Sequence, residues 1–137
     1  MMLQGGCFCG RVRYEVKGEL FNRTNCHCSI CRRISGAPFV TWFTVAQGNF
    51  HWLSGQPAAF ESSPGVTRAF CRDCGTALTF ARSDIDGEID VTTCSLDAPA
   101  DVPPEDHVFT ADKLPWIELS DDLPQHSGVR DSVDVME

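Results

Sequence analysis

The sequence has no long hydrophobic run and no recognisable export signal. Its longest aromatic and β-branched stretch, FVTWFTV at 39–45, is far shorter than the roughly 20 residues that a membrane-spanning helix needs. The N-terminal MMLQGGCFCG lacks both the basic and the apolar region of a secretory signal peptide. We therefore expect a cytoplasmic protein with no membrane partner.

Basic residues are scarce, and they are missing above all from the C-terminal part. The net charge is −8, and residues 98–137 carry ten acidic side chains against Lys113 and Arg130. Residues 1–97 are balanced, with nine acidic and nine basic side chains. Proteins that bind nucleic acids or anionic membranes usually present a basic patch, so the charge pattern argues against both kinds of partner.

The length predicts a single domain over residues 1–137. The acidic segment 98–137 contains five of the eight prolines, but its stretch HVFTADKLPWIEL is too apolar for a free linker. We therefore expect segment 98–137 to pack back in part on the sheet, and the last ~10 residues to be frayed. The sequence alone does not predict the oligomeric state.

Short strands separated by turns are the dominant pattern. In RVRYEV (11–16), apolar and charged residues alternate as in a half-buried strand. Turn signals at Gly48-Asn49, Pro64-Gly65 and Asp86-Gly87 lie beside further candidates. The strand candidates are 11–16, 39–45, 50–53, 57–62, 66–71, 77–81 and 89–94. One short helix is predicted, capped by Ser29 and ended by Gly36, so the fold class is all-β with one short helix.

Eight cysteines in 137 residues are the most informative feature of the chain. An oxidised, secreted protein could use them in disulfides, but the N-terminus gives no sign of export. They also occur in tight groups, CFC, CHCSIC and CRDC, whose members are poorly placed to pair with each other. Metal ligation is therefore the better interpretation, and zinc is the metal that such thiolate groups favour.

Two of these groups supply two thiols each. FCRDCG (70–75) has the spacing of a zinc knuckle, in which Gly75 allows the left-handed backbone conformation that closes the turn. GGCFCGR (5–11) is a tighter version of the same turn. Together they predict a structural zinc held by Cys7, Cys9, Cys71 and Cys74. Because the two halves lie far apart in the sequence, such a site would close a long loop.

The third group, Cys26, Cys28 and Cys31, has no obvious fourth ligand. Three protein ligands with an open position are typical of catalytic zinc, and a thiolate-rich zinc favours a soft fourth ligand such as a substrate thiolate. We therefore predict a second, catalytic zinc here and about two zinc ions per chain. In an alternative division, Cys28 and Cys31 join Cys71 and Cys74 in a CxxC…CxxC ribbon.

The remaining candidates surround these groups. Lone Cys94 is interpreted as a small buried hydrophobe, with a remote fourth ligand as the alternative. His27 lies between two predicted ligands, so its side chain should point away from the metal. His107 is the least ordinary of the other histidines. Arg32 and Arg33 either form a solvated helix face or bind a carboxylate of the substrate.

The three motifs GGCFCGRVRYEV, NCHCSICRRISGAPFVTWFTV and FCRDCGTAL together resemble the glutathione-dependent formaldehyde-activating enzyme (GFA) family. The resemblance covers nearly the whole chain. It implies a zinc-binding fold of the β-tent type, with a structural zinc on Cys7, Cys9, Cys71 and Cys74. It also implies a catalytic zinc on Cys26, Cys28 and Cys31, the same division that the spacing favours.

The activity implied by the resemblance is that of a carbon–sulfur lyase. The founding reaction joins formaldehyde and glutathione into S-hydroxymethylglutathione, so a small thiol such as glutathione is the expected substrate. We expect that thiol to bind as thiolate at the open zinc position. The sequence identifies no catalytic residue beyond the second zinc site. The alternatives are a non-catalytic binding module stabilised by zinc, as in relatives that include a nucleotide-exchange chaperone and centromere protein V, and a thiol or redox sensor.

Overall fold

A computed structural model describes residues 2–130 of the chain. Within these residues the regular structure consists of short strands, a single α-helix and isolated 3-10 turns. The helix α1 spans Ser29–Ser35. The strands are Met2–Gly6 (β1), Arg13–Lys17 (β2), Leu20–Cys26 (β3), Val40–Ala46 (β4), Phe50–Ser54 (β5), Ala58–Ser63 (β6), Val66–Phe70 (β7), Ala77–Arg82 (β8), Glu88–Thr92 (β9) and Asp106–Val108 (β10). The predicted all-β fold with one short helix is confirmed.

The chain forms two compact units. The first comprises residues 2–21 and 43–102, and the second comprises residues 22–42 and 103–130. This division does not test whether residues 1–137 form one domain, so the single domain stays a prediction. Most of the segment predicted to be frayed lies outside the described residues. No helix among residues 2–130 is long and apolar enough to cross a membrane.

The first unit contains two antiparallel arrangements of strands. β1, β2 and β5 form a three-stranded sheet with β2 in the middle. The second half of β4 lies beside β9, and β8, β7 and β6 follow in that order. Gly65 adopts a positive φ of 79° in the tight turn between β6 and β7, as the Pro64-Gly65 turn signal predicts.

The core of the first unit lies between these strands. Tyr14, the only tyrosine of the chain, is fully buried, stacks on Phe50 with ring centroids 5.2 Å apart, and shares a hydrogen bond of 2.7 Å with Ser95. Burial raises the pKa of its hydroxyl to about 12. Gly5 is needed beside this ring, because a Cβ there would lie 2.5 Å from the Tyr14 oxygen. Two cysteines, Cys7 and Cys71, belong to the same buried cluster.

The second unit is built on β3, the first half of β4, α1 and β10. β10 pairs with β3 in parallel, with Asp106 opposite Thr24 and Val108 opposite Cys26. A long segment therefore returns to the strand that leads into the cysteine group. A buried ionic contact fixes the return, because Arg130 donates to both carboxylate oxygens of Asp106.

The helix α1 follows β3 directly and differs in one detail from the prediction. Its N-cap is Cys28 rather than Ser29, because the Cys28 Sγ accepts a hydrogen bond of 3.3 Å from the Cys31 N–H. A sulfur that carries negative charge can take the place of the oxygen that usually caps a helix. Gly36 ends the helix as predicted, in the left-handed conformation with φ 66°.

Candidate metal centres

The first unit brings four cysteine thiols together from two distant turns. Cys7 and Cys9 come from the turn after β1, and Cys71 and Cys74 come from the turn between β7 and β8. All four Sγ atoms lie within 4.8 Å of one another. The first cluster is therefore formed by tertiary structure, between residues more than 60 positions apart.

The backbone of both turns is arranged around these sulfurs. The Val12 N–H donates to the Cys7 Sγ at 3.3 Å. In the other turn, Gly75 has φ 83° and its N–H donates to the Cys71 carbonyl at 2.8 Å, as the zinc-knuckle interpretation predicts. A hydrogen bond with the Thr76 hydroxyl, 3.3 Å from its Sγ, is the main cause that lowers the pKa of Cys74 to about 5. This turn thus favours the thiolate of Cys74, which is the form that binds metal.

The separations between the sulfurs fit a tetrahedral zinc. The Cys7 and Cys9 Sγ atoms are 3.5 Å apart, and the Cys9 and Cys71 Sγ atoms are 3.8 Å apart. Four sulfurs at about 2.3 Å from a tetrahedral Zn²⁺ would be about 3.8 Å from each other. The donor set and the spacing therefore both suit zinc.

The second unit brings together Cys26, Cys28 and Cys31 at the junction of β3 and α1. Their Sγ atoms also lie within 4.8 Å of one another, and Cys26 and Cys31 are buried. In the part of the chain that the structure describes, no fourth cysteine, histidine or carboxylate completes this group. The second cluster is therefore local in sequence and offers three thiols.

The three thiols are not equivalent. Hydrogen bonds from Cys26 and Cys31 lower the pKa of Cys28 to about 2, and the cap interaction with the Cys31 N–H acts in the same direction. The same contact with Cys28 raises the pKa of Cys26 above its usual range. The Trp42 side chain hydrogen-bonds to Cys31. Charge is thus concentrated on Cys28, at the N-terminus of α1, where the helix dipole favours it.

The thiols group as the spacing predicts, with Cys7, Cys9, Cys71 and Cys74 in one cluster and Cys26, Cys28 and Cys31 in the other. The alternative CxxC…CxxC ribbon, in which Cys28 and Cys31 join Cys71 and Cys74, is not formed. Cys94 lies outside both groups and is exposed. The interpretation of Cys94 as a small buried hydrophobe is therefore wrong. The strand candidate 89–94 included this position, but β9 ends at Thr92 and a 3-10 turn follows, which places the Cys94 side chain at the surface.

His27 is fully buried, and its side chain belongs to a chain of hydrogen bonds with His107 and Asp121, not to the thiol cluster. Its Nε2 lies 2.9 Å from the Nδ1 of His107, whose Nε2 lies 2.8 Å from a carboxylate oxygen of Asp121. Burial, followed by the neighbouring His107, lowers the pKa of His27 to about 4. The interpretation that His27 points away from the metal ligands agrees with this arrangement. Nothing in the sequence indicated Asp121, because the contact is created when the chain around Gln125 bridges to His107.

The two arginines of α1 have different surroundings. Arg32 is half-buried and donates to the Asp112 carbonyl at 2.7 Å, whereas Arg33 is exposed. Arg32 therefore holds the turn that follows β10, and Arg33 is the more accessible cation. Binding of a substrate carboxylate by either residue stays a prediction.

Comparisons with known proteins agree with these observations. A model of the glutathione-dependent formaldehyde-activating enzyme family matches residues 2–112. A Halomonas elongata protein, named as a candidate enzyme of that kind, is 30% identical over 133 residues, which cover 87% of this chain and 82% of that protein. An uncharacterized lyase of Schizosaccharomyces pombe is 31% identical over 78 residues, which cover 57% of this chain and 56% of that protein.

Structural similarity supports the same fold. A crystal structure of a Rhodobacter sphaeroides protein superposes with a TM-score of 0.59 at 21% identity, covering 90% of this chain and 99% of that one. At this identity the match bears on the fold alone. The family model covers most of the chain and includes all seven clustered cysteines. The chain therefore belongs to the glutathione-dependent formaldehyde-activating enzyme family.

Proposed function

We propose that this protein is a zinc-dependent carbon–sulfur lyase that makes and cleaves an adduct of a small thiol with an aldehyde. The observation that carries the proposal is the second cluster, a group of three converging thiols to which the described residues add no fourth ligand. Family membership and the lyase-named relative support an enzyme of this kind. Glutathione and formaldehyde are the first substrates to test.

The first cluster is assigned a structural role. Cys7 and Cys71 are part of the buried core, and the cluster ties the turn after β1 to the turn between β7 and β8. Four thiolates complete the coordination of a zinc ion and leave no position for a substrate. Metal binding at this site would therefore stabilise the first unit and take no part in the reaction.

The second cluster is assigned the reactive role. A zinc ion bound there would supply a positive centre with an exchangeable position, which favours the thiolate form of a small thiol. The residues of the chain prepare that site. Cys28 is held in its charged form by the cap interaction and by its two neighbours. Trp42 contacts the Cys31 thiol through its side chain.

The reaction needs no oxidant or reductant. In the forward direction the thiol sulfur attacks the aldehyde carbon, a carbon–sulfur bond forms, and the proton lost by the thiol ends on the former carbonyl oxygen. Cleavage is the reverse of these steps. Arg33, exposed on α1, is the better placed of the two arginines to bind a carboxylate of the thiol, because Arg32 already contacts Asp112.

The test must separate catalysis from the spontaneous reaction of thiols with formaldehyde. Exchange between glutathione and S-hydroxymethylglutathione can be followed by NMR at fixed pH, with the zinc-reconstituted protein added in steps. We expect the exchange rate to rise in proportion to the protein concentration. Cys28→Ser should reduce the added rate by at least about tenfold, because it removes the most acidic thiol.

Cys94→Ser is the matched control, since Cys94 is exposed and outside both clusters. It should leave the rate unchanged. If the reconstituted protein holds two zinc ions and accelerates no exchange with glutathione or simpler thiols, the lyase assignment is wrong. A non-catalytic binding module or a thiol sensor would then be the better description.

A further inference from the structure

Arg68 lies in the middle of a row of side chains that crosses the strands of the first unit. It is in β7, directly opposite Phe60 of β6 on one side and Phe80 of β8 on the other. Phe80 in turn lies opposite Asp90 of β9. Because directly opposed residues of antiparallel strands share a face, these side chains form one strip on that face of the sheet.

Arg68 is held rigidly in this strip. The residue is only 7% exposed, its guanidinium carbon lies 4.8 Å from the centroid of the Phe80 ring, and its Nε donates to the Ser62 Oγ at 3.0 Å. These contacts use one planar face of the guanidinium, which lies over the Phe80 ring, and one of its five donor hydrogens. The two terminal nitrogens belong to no hydrogen bond within residues 2–130, and neither is sealed from solvent. They can therefore be reached by a ligand.

Arg68 also lacks a countercharge. Of the other four arginines of the first unit, three form ion pairs, namely Arg11 with Asp73, Arg13 with Asp97 and Arg82 with Asp84, and the fourth, Arg72, is exposed to solvent. Within residues 2–130, no carboxylate lies in ion-pair distance of Arg68, although it is the most buried of the five. Burial of an unpaired guanidinium is costly, and a bound anion would offset that cost.

The surroundings indicate the class of anion. Phe60 is 42% exposed and packs edge to face against Phe70, with centroids 5.9 Å apart. An apolar surface thus borders the guanidinium on the side of β6. A planar fork matches the two oxygens of a carboxylate, and exposed aromatic rings favour an apolar body attached to it.

We propose that Arg68 is a binding site for a carboxylate that carries an apolar or aromatic group. The terminal nitrogens of Arg68 bind the two carboxylate oxygens, and Phe60 contacts the apolar body. Ser62 and Phe80 hold the guanidinium in place. This site is independent of the lyase assignment, because it involves neither cysteine cluster.

The site can be tested with benzoate, acetate and inorganic phosphate as probes, at constant ionic strength and with the zinc-loaded protein. Binding is read from the NMR shifts of the Arg68 side-chain Nε–H and of the backbone amides of residues 60, 68 and 80. We expect saturable shifts with benzoate, weaker binding of acetate and weaker binding of phosphate. Arg68→Gln should weaken benzoate binding by at least about tenfold.

Two further variants keep the test decisive if Arg68→Gln folds poorly. Arg68→Lys keeps the charge but loses the planar fork, and Ser62→Ala keeps the arginine but frees it, so both should weaken binding. Arg82→Gln is the matched control, since Arg82 is an exposed arginine of the adjacent strand with its own partner. The proposal is overturned if benzoate shifts do not saturate, if Arg82→Gln weakens binding as much as Arg68→Gln, or if phosphate binds more tightly than benzoate.

Discussion

The two cysteine clusters are made of the same chemical group but are built in opposite ways. In the first unit, two pairs of thiols come from turns far apart in sequence, and two of the four sulfurs lie in the hydrophobic core. In the second unit, three thiols come from six consecutive positions at the junction of β3 and α1. The first cluster therefore depends on the fold, whereas the second depends on a single local turn.

This difference bears on how each cluster can be used. A metal that joins distant turns restricts the unfolded chain strongly, so its binding energy becomes folding energy. A metal held within six residues closes almost no loop, so the fold depends on it much less. A local site of three thiols can thus gain or exchange a ligand without disturbing the unit around it. The predictions below test that contrast.

The largest effect is expected from Cys71→Ser. Cys71 is fully buried, and its loss removes a ligand that joins two turns. We expect the free energy of unfolding to fall by more than about 3 kcal/mol in denaturant titrations of the zinc-loaded protein. Cys28→Ser should lower the free energy of unfolding far less, since serine is itself a good N-cap for α1. Equal destabilisation by the two substitutions would mean that the second cluster is also structural.

A smaller effect is expected when metal is withdrawn from the intact protein. Elemental analysis should find about two zinc ions per chain, and a chelator should remove them in two phases. The fast phase belongs to the second cluster, because three thiolates and an exchangeable ligand hold zinc less tightly than four thiolates. Cys28→Ser should abolish the fast phase and leave the slow phase intact. A single phase that accounts for both ions would contradict the contrast between the clusters.

A third prediction is that a small thiol binds metal in the second cluster but not in the first. With Co²⁺ in place of zinc, glutathione should change the ligand-field and charge-transfer bands of the second cluster only. Proton release should accompany the change, since the thiol must ionise in order to bind. Cys28→Ser should remove the response, and Cys94→Ser should keep it. If no thiol alters the spectrum while cobalt fills both clusters, the fourth position is closed.

The smallest effect concerns a half-buried carboxyl group in the first unit, that of Asp90. Burial raises the pKa of Asp90 to about 6, and the hydrogen bond of 2.6 Å from Thr44 offsets this only in part. The folded state therefore keeps a proton that the unfolded state loses, so stability falls as the pH rises from about 4 through 6. Asp90→Asn should stabilise the protein by about 1–2 kcal/mol at pH 7.

The pH dependence is the control for this substitution. At pH 5 the difference between Asp90→Asn and the unaltered chain should be smaller, because Asp90 is then largely protonated in the folded state. Denaturant titrations at both pH values measure it. A stability difference that does not change with pH would show that the side chain, and not its charge, is responsible.

Much of the secondary structure could be predicted from the sequence, because the exposed turns carry their own signals. Strands β4 to β9 and the helix α1 were found close to their observed bounds. β1, β3 and β10 were not predicted. β1 ends in two glycines, β3 is mostly polar in its second half, and β10 has three residues, so each lacks the alternation that identifies a strand. Pairing with neighbours, not local preference, makes them strands.

The sequence by itself determined the composition and the location of the second cluster. Three thiols within six residues must lie close together in almost any fold, and a capped turn completes the arrangement. Tertiary structure decided which distant pairs meet in the first cluster, and it placed Asp121 on His107 and Arg68 between two phenylalanines. These contacts depend on strand register, which arises from the packing of whole sheets and is not encoded in any short segment.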